Sequence, residues 1–356
     1  MGKPWRKVLL GAAALVVAYL ACAPIEAEPL AWTPPEADES VAPWSSPRAL
    51  QVTRMLEGEG RGPEDVAVDA QGRVYTGYED GRIVRFVPDR AGPPELFATL
   101  PGGRPLGMEF DAAGTLLVAD GRAGIVGVSP EGTVRTIVDT VDGEPLVFAD
   151  DLDVTSDGTI WFSEASRRWD VQDAALDAIE GVPTGRLIAH DPATGRTKVA
   201  LSQLRYANGV SVTPDDEAVL VNETFGYRVT RLWLKGPKAG SSEVFVDALP
   251  GLPDNVEVDA QGNVWVALVK ARSPILDAVY PYPALRGVFY RIPESWLPVP
   301  PPIVWVAAFD AEGTALASMR AEDGFGDITS ATPHGDTLWL GSLTMSALGS
   351  VPRPDL

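Results

Sequence analysis

Apolar and polar positions alternate with a period of two in short runs along most of the chain, and one seven-residue phrase recurs. It reads Pro63-Glu-Asp-Val-Ala-Val-Asp69, Pro105-Leu-Gly-Met-Glu-Phe-Asp111, Ala149-Asp-Asp-Leu-Asp-Val-Thr155, Ala207-Asn-Gly-Val-Ser-Val-Thr213 and Pro253-Asp-Asn-Val-Glu-Val-Asp259. Such alternation marks a strand. Gly72, Gly114, Gly158 and Gly262 (Asp216 in the fourth copy) then mark a tight turn, and second strands come after it, as in Arg73-Val-Tyr-Thr76 and Asn263-Val-Trp-Val266. Third strands such as Gly81-Arg-Ile-Val-Arg-Phe86 come next. Second positions at 64, 106, 150, 208 and 254 give a spacing mostly in the forties. That period predicts an all-β fold, a six-bladed β-propeller with four-stranded blades. A weaker sixth copy ends at Thr337-Leu-Trp-Leu-Gly341. Phe309-Asp-Ala-Glu-Gly-Thr314 mimics the phrase and is assigned to an outer hairpin of the fifth or sixth blade. Seven blades is the alternative count. Residues 49–56 are expected to pair with the last blade and close the ring.

The N-terminal residues obey another pattern. Lys3, Arg6 and Lys7 precede an uncharged apolar run, Val8 to Ala23, which predicts an N-terminal membrane anchor or signal segment over residues 1–27. The run falls short of the roughly 20 residues of a comfortable span. An uncleaved anchor, cleavage near Ala27 and lipidation at Cys22 compete, and all three place the body on the non-cytoplasmic side, periplasmic or extracellular. Residues 28–47 are Pro-rich and read as a stiff stalk, with Trp32 at the membrane interface. Residues 48–356 form the propeller. Two insertions interrupt the repeat: Trp169–Glu180, helix-like with Asp170 as N-cap and Gly181 as stop, and the apolar Ser273–Arg286. Both are expected at one mouth of the ring.

Composition narrows the chemistry. A formal net charge of −20 argues against nucleic acid and against a broad surface on anionic lipid. The single cysteine excludes an intramolecular disulfide, and two histidines, His190 and His334, leave little for a zinc site or a His-based triad. Both are read as surface residues near turns.

Within the phrase, positions four and six are apolar (Val66/Val68 to Val256/Val258), and position two is read onto their buried face. Position two is Glu64, Leu106, Asp150, Asn208 and Asp254. Isolated buried carboxylates cost several kcal/mol, and no matching set of basic residues accompanies them. A hard divalent cation, calcium above others, resolves that cost with Glu64, Asp150, Asn208 and Asp254 as oxygen ligands and Asn255 as an additional one. Capping of turns by Asp and Asn is the competing explanation. Asp65 and Asp151 sit directly after ligand candidates. Ser163 and Ser166 have no partner His by sequence.

These phrases resemble the calcium-dependent six-bladed superfamily of gluconolactonase/regucalcin, paraoxonase-type lactonases and strictosidine synthases. The chain looks most like the adipocyte plasma membrane-associated protein group within it. The resemblance covers about Gly62 to Leu343 and implies Glu64, Asp150, Asn208, Asp254 and Asn255 as calcium ligands. The paraoxonase catalytic His falls at Leu106. The acid used by strictosidine synthases falls near Ile328–Thr329, beside Asp327, which argues against strictosidine condensation. The expected activity is that of a metal-dependent hydrolase of lactones or aryl-type esters, with Asp254 or Asp151 as the base and a small hydrophobic substrate. The rival is a membrane-tethered binding protein whose metal is structural. Membrane contact is expected through the N-terminal segment only.

Overall fold

The computed structural model describes residues 4–88, 90, 92–292 and 302–356; Lys3 of the basic N-terminal cluster lies outside them. Six sheets form the ring, each built on one copy of the phrase. Their innermost strands are Val66–Val68, Pro105–Phe110, Ala149–Val154, Ala207–Val212, Gly251–Val258 and Ile328–His334. The sixth is Ile328-Thr-Ser-Ala-Thr-Pro-His334, a copy with no acid at position two. Thr53–Met55 supplies its outermost strand, pairing antiparallel with Leu348–Ser350, so the ring closes as expected. Val304–Phe309 and Ala315–Ala321 form the outer hairpin of blade five, which explains the mimic phrase there. Its Asp310 accepts from Glu312 N and Thr314 N, as Asp69 does from Gln71 N and Arg73 N.

Neighbouring blades stack face to face, and the core lies between them. Val66 and Val74 meet Trp339 and Leu348 across blades six and one, while Tyr75 and Ile83 meet Met108 and Leu116 across blades one and two. Both faces of each sheet are therefore buried. Alternation along an inner strand distributes side chains between two neighbouring blades, not between core and water.

One register feature corrects the expected phase. In five of the six inner strands the ladder shifts between positions one and four, as between Ala149 and Leu152 or Pro253 and Val256. Such a shift breaks the alternation. Position two does not share the face of positions four and six: Leu106 joins a cluster with Phe148 and Tyr206, whereas Met108 joins the interblade core.

The N-terminal residues depart further from expectation. Helix α1 spans Pro4–Cys22; among the described residues no helix is long and apolar enough to cross a membrane. Residues 23–47 are not a free stalk but a strap seated on one face of the ring. Leu30 N donates to Glu180 O and Trp32 N to Tyr280 O. Trp32 packs on Tyr227 and Tyr280 instead of standing free, with the Arg205 guanidinium 4.5 Å from its ring. Trp44 meets Trp305 and Phe309 of blade five, and Arg48–Ala49 adds a parallel strand to that blade. Proline density excludes regular structure but not docking, because a proline-rich segment without backbone ladders still binds through aromatic side chains and its carbonyls.

The two insertions form helices beneath this strap. Helix α2, Ala174–Glu180, is shorter than expected and starts from Asp173; Asp170 closes the preceding turn by accepting from Gln172 N, and Gly181 ends the helix at φ 61°. Helices α3, Pro274–Val279, and α4, Pro283–Tyr290, form a hairpin capped by Ser273.

Candidate metal centre

The unpaired edge of each inner strand faces the axis, and its N–H groups need acceptors. Position three meets part of that need. Asp65 Oδ2 accepts from Met108 N at 2.8 Å, and Asp151 Oδ2 accepts from Val210 N at 2.7 Å, each reaching the next blade. At position five, Asp153 accepts from Val212 N and Ser211 Oγ from Val258 N. Where position three lies close to its neighbour it is glycine: a Cβ at Gly209 would sit 2.4 Å from Val256 N. These interblade clasps have no local sequence signature, because the partner lies a whole blade away.

The ligand candidates converge on the axis. Asn255 Nδ2 lies 3.3 Å from Glu64 Oε1. Blades five and one are not neighbours, so these side chains meet only across the centre of the ring. Glu64, Asp150, Asn208, Asp254 and Asn255 are all buried. Glu64 Oε2, Asp150 Oδ2, Asn208 Oδ1 and Asn255 Oδ1 have no hydrogen-bond partner among the described residues. Buried oxygens are almost always paired, and four orphans on one constellation form a donor set of hard oxygens suited to calcium or another hard divalent cation. No group of three or more His, Cys, Asp or Glu side chains among the described residues is arranged to hold a metal by itself. Two of the four orphan oxygens are amide carbonyls, which such an acid-and-imidazole set leaves out.

Electrostatics reflect the burial. Desolvation raises Glu64 well above the usual carboxylate range, with Asp254, Asp65 and Asp150 adding to the effect and Arg104 opposing it. Asp150 is pushed up to about 7 by burial against the pull of Arg104, and Asp254 is raised by burial and then by Asp150. Burial without a cation favours the protonated form of each. Arg104, which sequence reasoning missed, is buried and donates to Gly62 O at 2.8 Å. Its signal was the Arg-Pro opening of the second phrase. Asn222 was also missed; it holds the backbone of the ring by donating to Asp254 O at 2.7 Å. Further along the axis, Glu109 is pushed up to about 8 by burial and by Asp153.

Other candidates resolve plainly. Each oxygen of Asp151 accepts from a backbone N–H, Oδ1 from Leu152 N and Oδ2 from Val210 N. Ser163 Oγ accepts from Asp151 N. His190 is buried, not superficial, against Thr197, while His334 is exposed. Asp327 pairs with Lys270 at 2.9 Å, and Thr329, at position two of blade six, donates to Glu64 O.

Beside the ring lies a buried apolar cluster of Leu106, Phe148, Ala165 and Tyr206, with Val171, Ala174 and Phe225 packed against it. Tyr206 stacks 5.8 Å from Phe148 and 4.7 Å from Phe225. Burial, and then Asp150, Asp177, Asp254 and Glu64, raise the pKa of its hydroxyl. The insertions therefore do cover one mouth of the ring.

The strictosidine synthase family model matches residues 150–237, and the strictosidine synthase-like N-terminal model matches residues 48–86. The strictosidine synthase-like 13 protein of Arabidopsis thaliana is 33% identical over 331 residues, covering 82% of this chain and 78% of its own. The adipocyte plasma membrane-associated protein of Bos taurus is 32% identical over 341 residues, covering 90% and 82%. Among solved structures, a gluconolactonase from Xanthomonas campestris superposes with TM-score 0.63 at 19% identity, covering 93% of this chain and 98% of its own. A calcium-binding regucalcin from Agrobacterium tumefaciens gives 0.58 at 15%, covering 85% and 94%. At those identities the structures speak for the fold. With the propeller, the phrases and the relatives in agreement, the chain belongs to the strictosidine synthase-like family.

Proposed function

We propose that the chain is a calcium-dependent hydrolase of lactones or aryl-type esters with a hydrophobic acyl or aryl part. The observation that carries this reading is the set of four buried oxygens without partners on Glu64, Asp150, Asn208 and Asn255. Those residues and Asp254 would hold the ion. When bound it would supply Lewis-acid polarisation of the substrate carbonyl and stabilisation of the oxyanion. The protein's own contribution is orientation and exclusion of water. Leu106, Phe148 and Tyr206 present an apolar wall beside the ring, and α2 covers it. Asp254 is the carboxylate we assign as base: its oxygens accept from no backbone N–H in the structure, unlike those of Asp151. The relatives named as gluconolactonase and regucalcin support a lactone substrate and calcium.

The test is metal analysis of the purified protein, then a lactone and aryl-ester panel with and without chelator. Turnover abolished by chelator and restored by calcium is the expected result. Tight calcium with no turnover would favour the second reading, a binding protein with a structural ion, which Leu106 in place of a titratable residue supports. We also propose that residues 1–27 associate the protein with a membrane, its body on the non-cytoplasmic side. The basic residues ahead of the apolar run and the relatives named as plasma membrane-associated support this.

A further inference from the structure

In a chain of net charge −20, the exposed positions of one insertion carry no charge. Across residues 273–292 the exposed positions are Pro274, Ile275, Ala278, Tyr282, Ala284 and Leu285. The hairpin's three charged side chains are all turned inward. Asp277 accepts from Tyr227 Oη at 2.8 Å and pairs with Arg272 at 2.9 Å. Arg286 is buried and donates to Ile179 O, Glu180 O and Leu30 O. Arg291 donates to Ala23 O at 2.7 Å and Leu20 O at 3.1 Å.

That last contact clamps the end of α1 to α4. Helix α1 itself leaves Leu9, Leu15, Val16 and Tyr19 more than half exposed, and Leu30 of the strap is 46% exposed. Exposed apolar side chains therefore lie on the helix, the strap and the hairpin (Ile275 59%, Tyr282 59%, Leu285 48%) that meet at this clamp, while the exposed acids Glu28 and Glu39 belong to the strap. Clustered exposed apolar side chains mark an interaction site. A helix apolar on several sides takes lipid as its partner, and whatever covers α1 near Cys22 also meets α4.

We propose that the α3–α4 hairpin is a second membrane-docking element, laying the covered mouth of the propeller on the acyl boundary of an electrically neutral bilayer. The proposal rests on the membrane association of residues 1–27 and extends it. Docking is apolar, because the hairpin shows no basic side chain for anionic headgroups. It also brings the bilayer close to the apolar cluster beside the ring, since α4 packs on α2, whose Ala174 packs against that cluster.

The test uses the full chain with Cys22→Ser and single labelling sites at Ile275→Cys, Tyr282→Cys, Leu15→Cys and, as controls on outer blade strands, Leu96→Cys and Val244→Cys. Each is labelled with an environment-sensitive fluorophore and reconstituted in phosphatidylcholine vesicles carrying acyl-chain spin labels. Quenching at 275 and 282 several-fold above that at 96 and 244, and comparable with that at 15, is the expected result. Quenching at 15 with 275 and 282 at control level overturns the hairpin proposal and leaves membrane association standing. No quenching at 15, 275 or 282 overturns both. A blue shift at 275 that grows with protein concentration without vesicles assigns the patch to a second copy and also overturns it.

Discussion

Asp254 and Asp69 are both acids of the repeated phrase, and the fold gives them opposite work. Asp69 accepts from two backbone N–H groups, Arg73 and the Tyr75 hydroxyl, and its carboxyl is held low by those bonds against the effect of burial. Asp254→Ala should weaken calcium binding by roughly a hundredfold or more, whereas Asp69→Ala should lower the melting temperature and leave calcium affinity unchanged. Calorimetric titration with melts of both variants checks this. Asp151→Ala strips acceptors from Leu152 N and Val210 N and should destabilise the fold by about 2–3 kcal/mol, with Asp151→Asn milder, as denaturant titration would read. Asp177 on α2 is pushed up to about 7 by burial, with Ser166 and Arg205 opposing and Glu180 adding. The native protein thus keeps a proton that the unfolded chain, titrating at the ordinary 3.8, has released. The stability this gives is full below about pH 4 and is lost as pH rises through about 7. Asp177→Asn should flatten the melting profile between pH 5 and 8 and melt roughly 3 °C or more above wild type at pH 8. The acids proposed as ligands were legible because they recur in one phase of a repeat. Asn222 and Arg104 were not, since neither occupies a repeated position.

Strands and helices differ in how they announce themselves. The inner strands stood out because five copies of one phrase agree; the sixth, with Thr329 and Ser330 where others carry acids, shares only its apolar frame and was legible mainly through Trp339. The register shift between positions one and four left no mark, because a bulge changes pairing and not composition. The strap was misread for a related reason: a proline-rich extended segment has the same sequence whether free or docked. Its docking carries a prediction. Removing residues 1–22 should leave the melt of the propeller unchanged, whereas removing residues 1–47 should lower it and expose Tyr227, Tyr280 and Trp305 to solvent, read by tryptophan fluorescence. Arg286→Met leaves the carbonyls of Ile179, Glu180 and Leu30 without that donor. It should cost about 3 kcal/mol and open residues 23–47 to protease before the ring unfolds.

At the scale of the molecule, the fold class came from the period of the repeat, while the closure of the ring needed both ends of the chain to be considered together. Thr53 pairs with Ser350 and Met55 with Leu348. Removing residues 348–356 should therefore abolish the cooperative melt and yield aggregates, because two strand edges are left open. Light scattering during a thermal ramp would report it. The same pairing sets a timetable for synthesis. Thr53–Met55 waits for Leu348–Ser350, so blade six has no complete sheet until the ribosome has released residue 350. Contacts of such sequence separation close slowly. A nascent chain must keep five nearly finished blades from pairing with neighbours in the meantime.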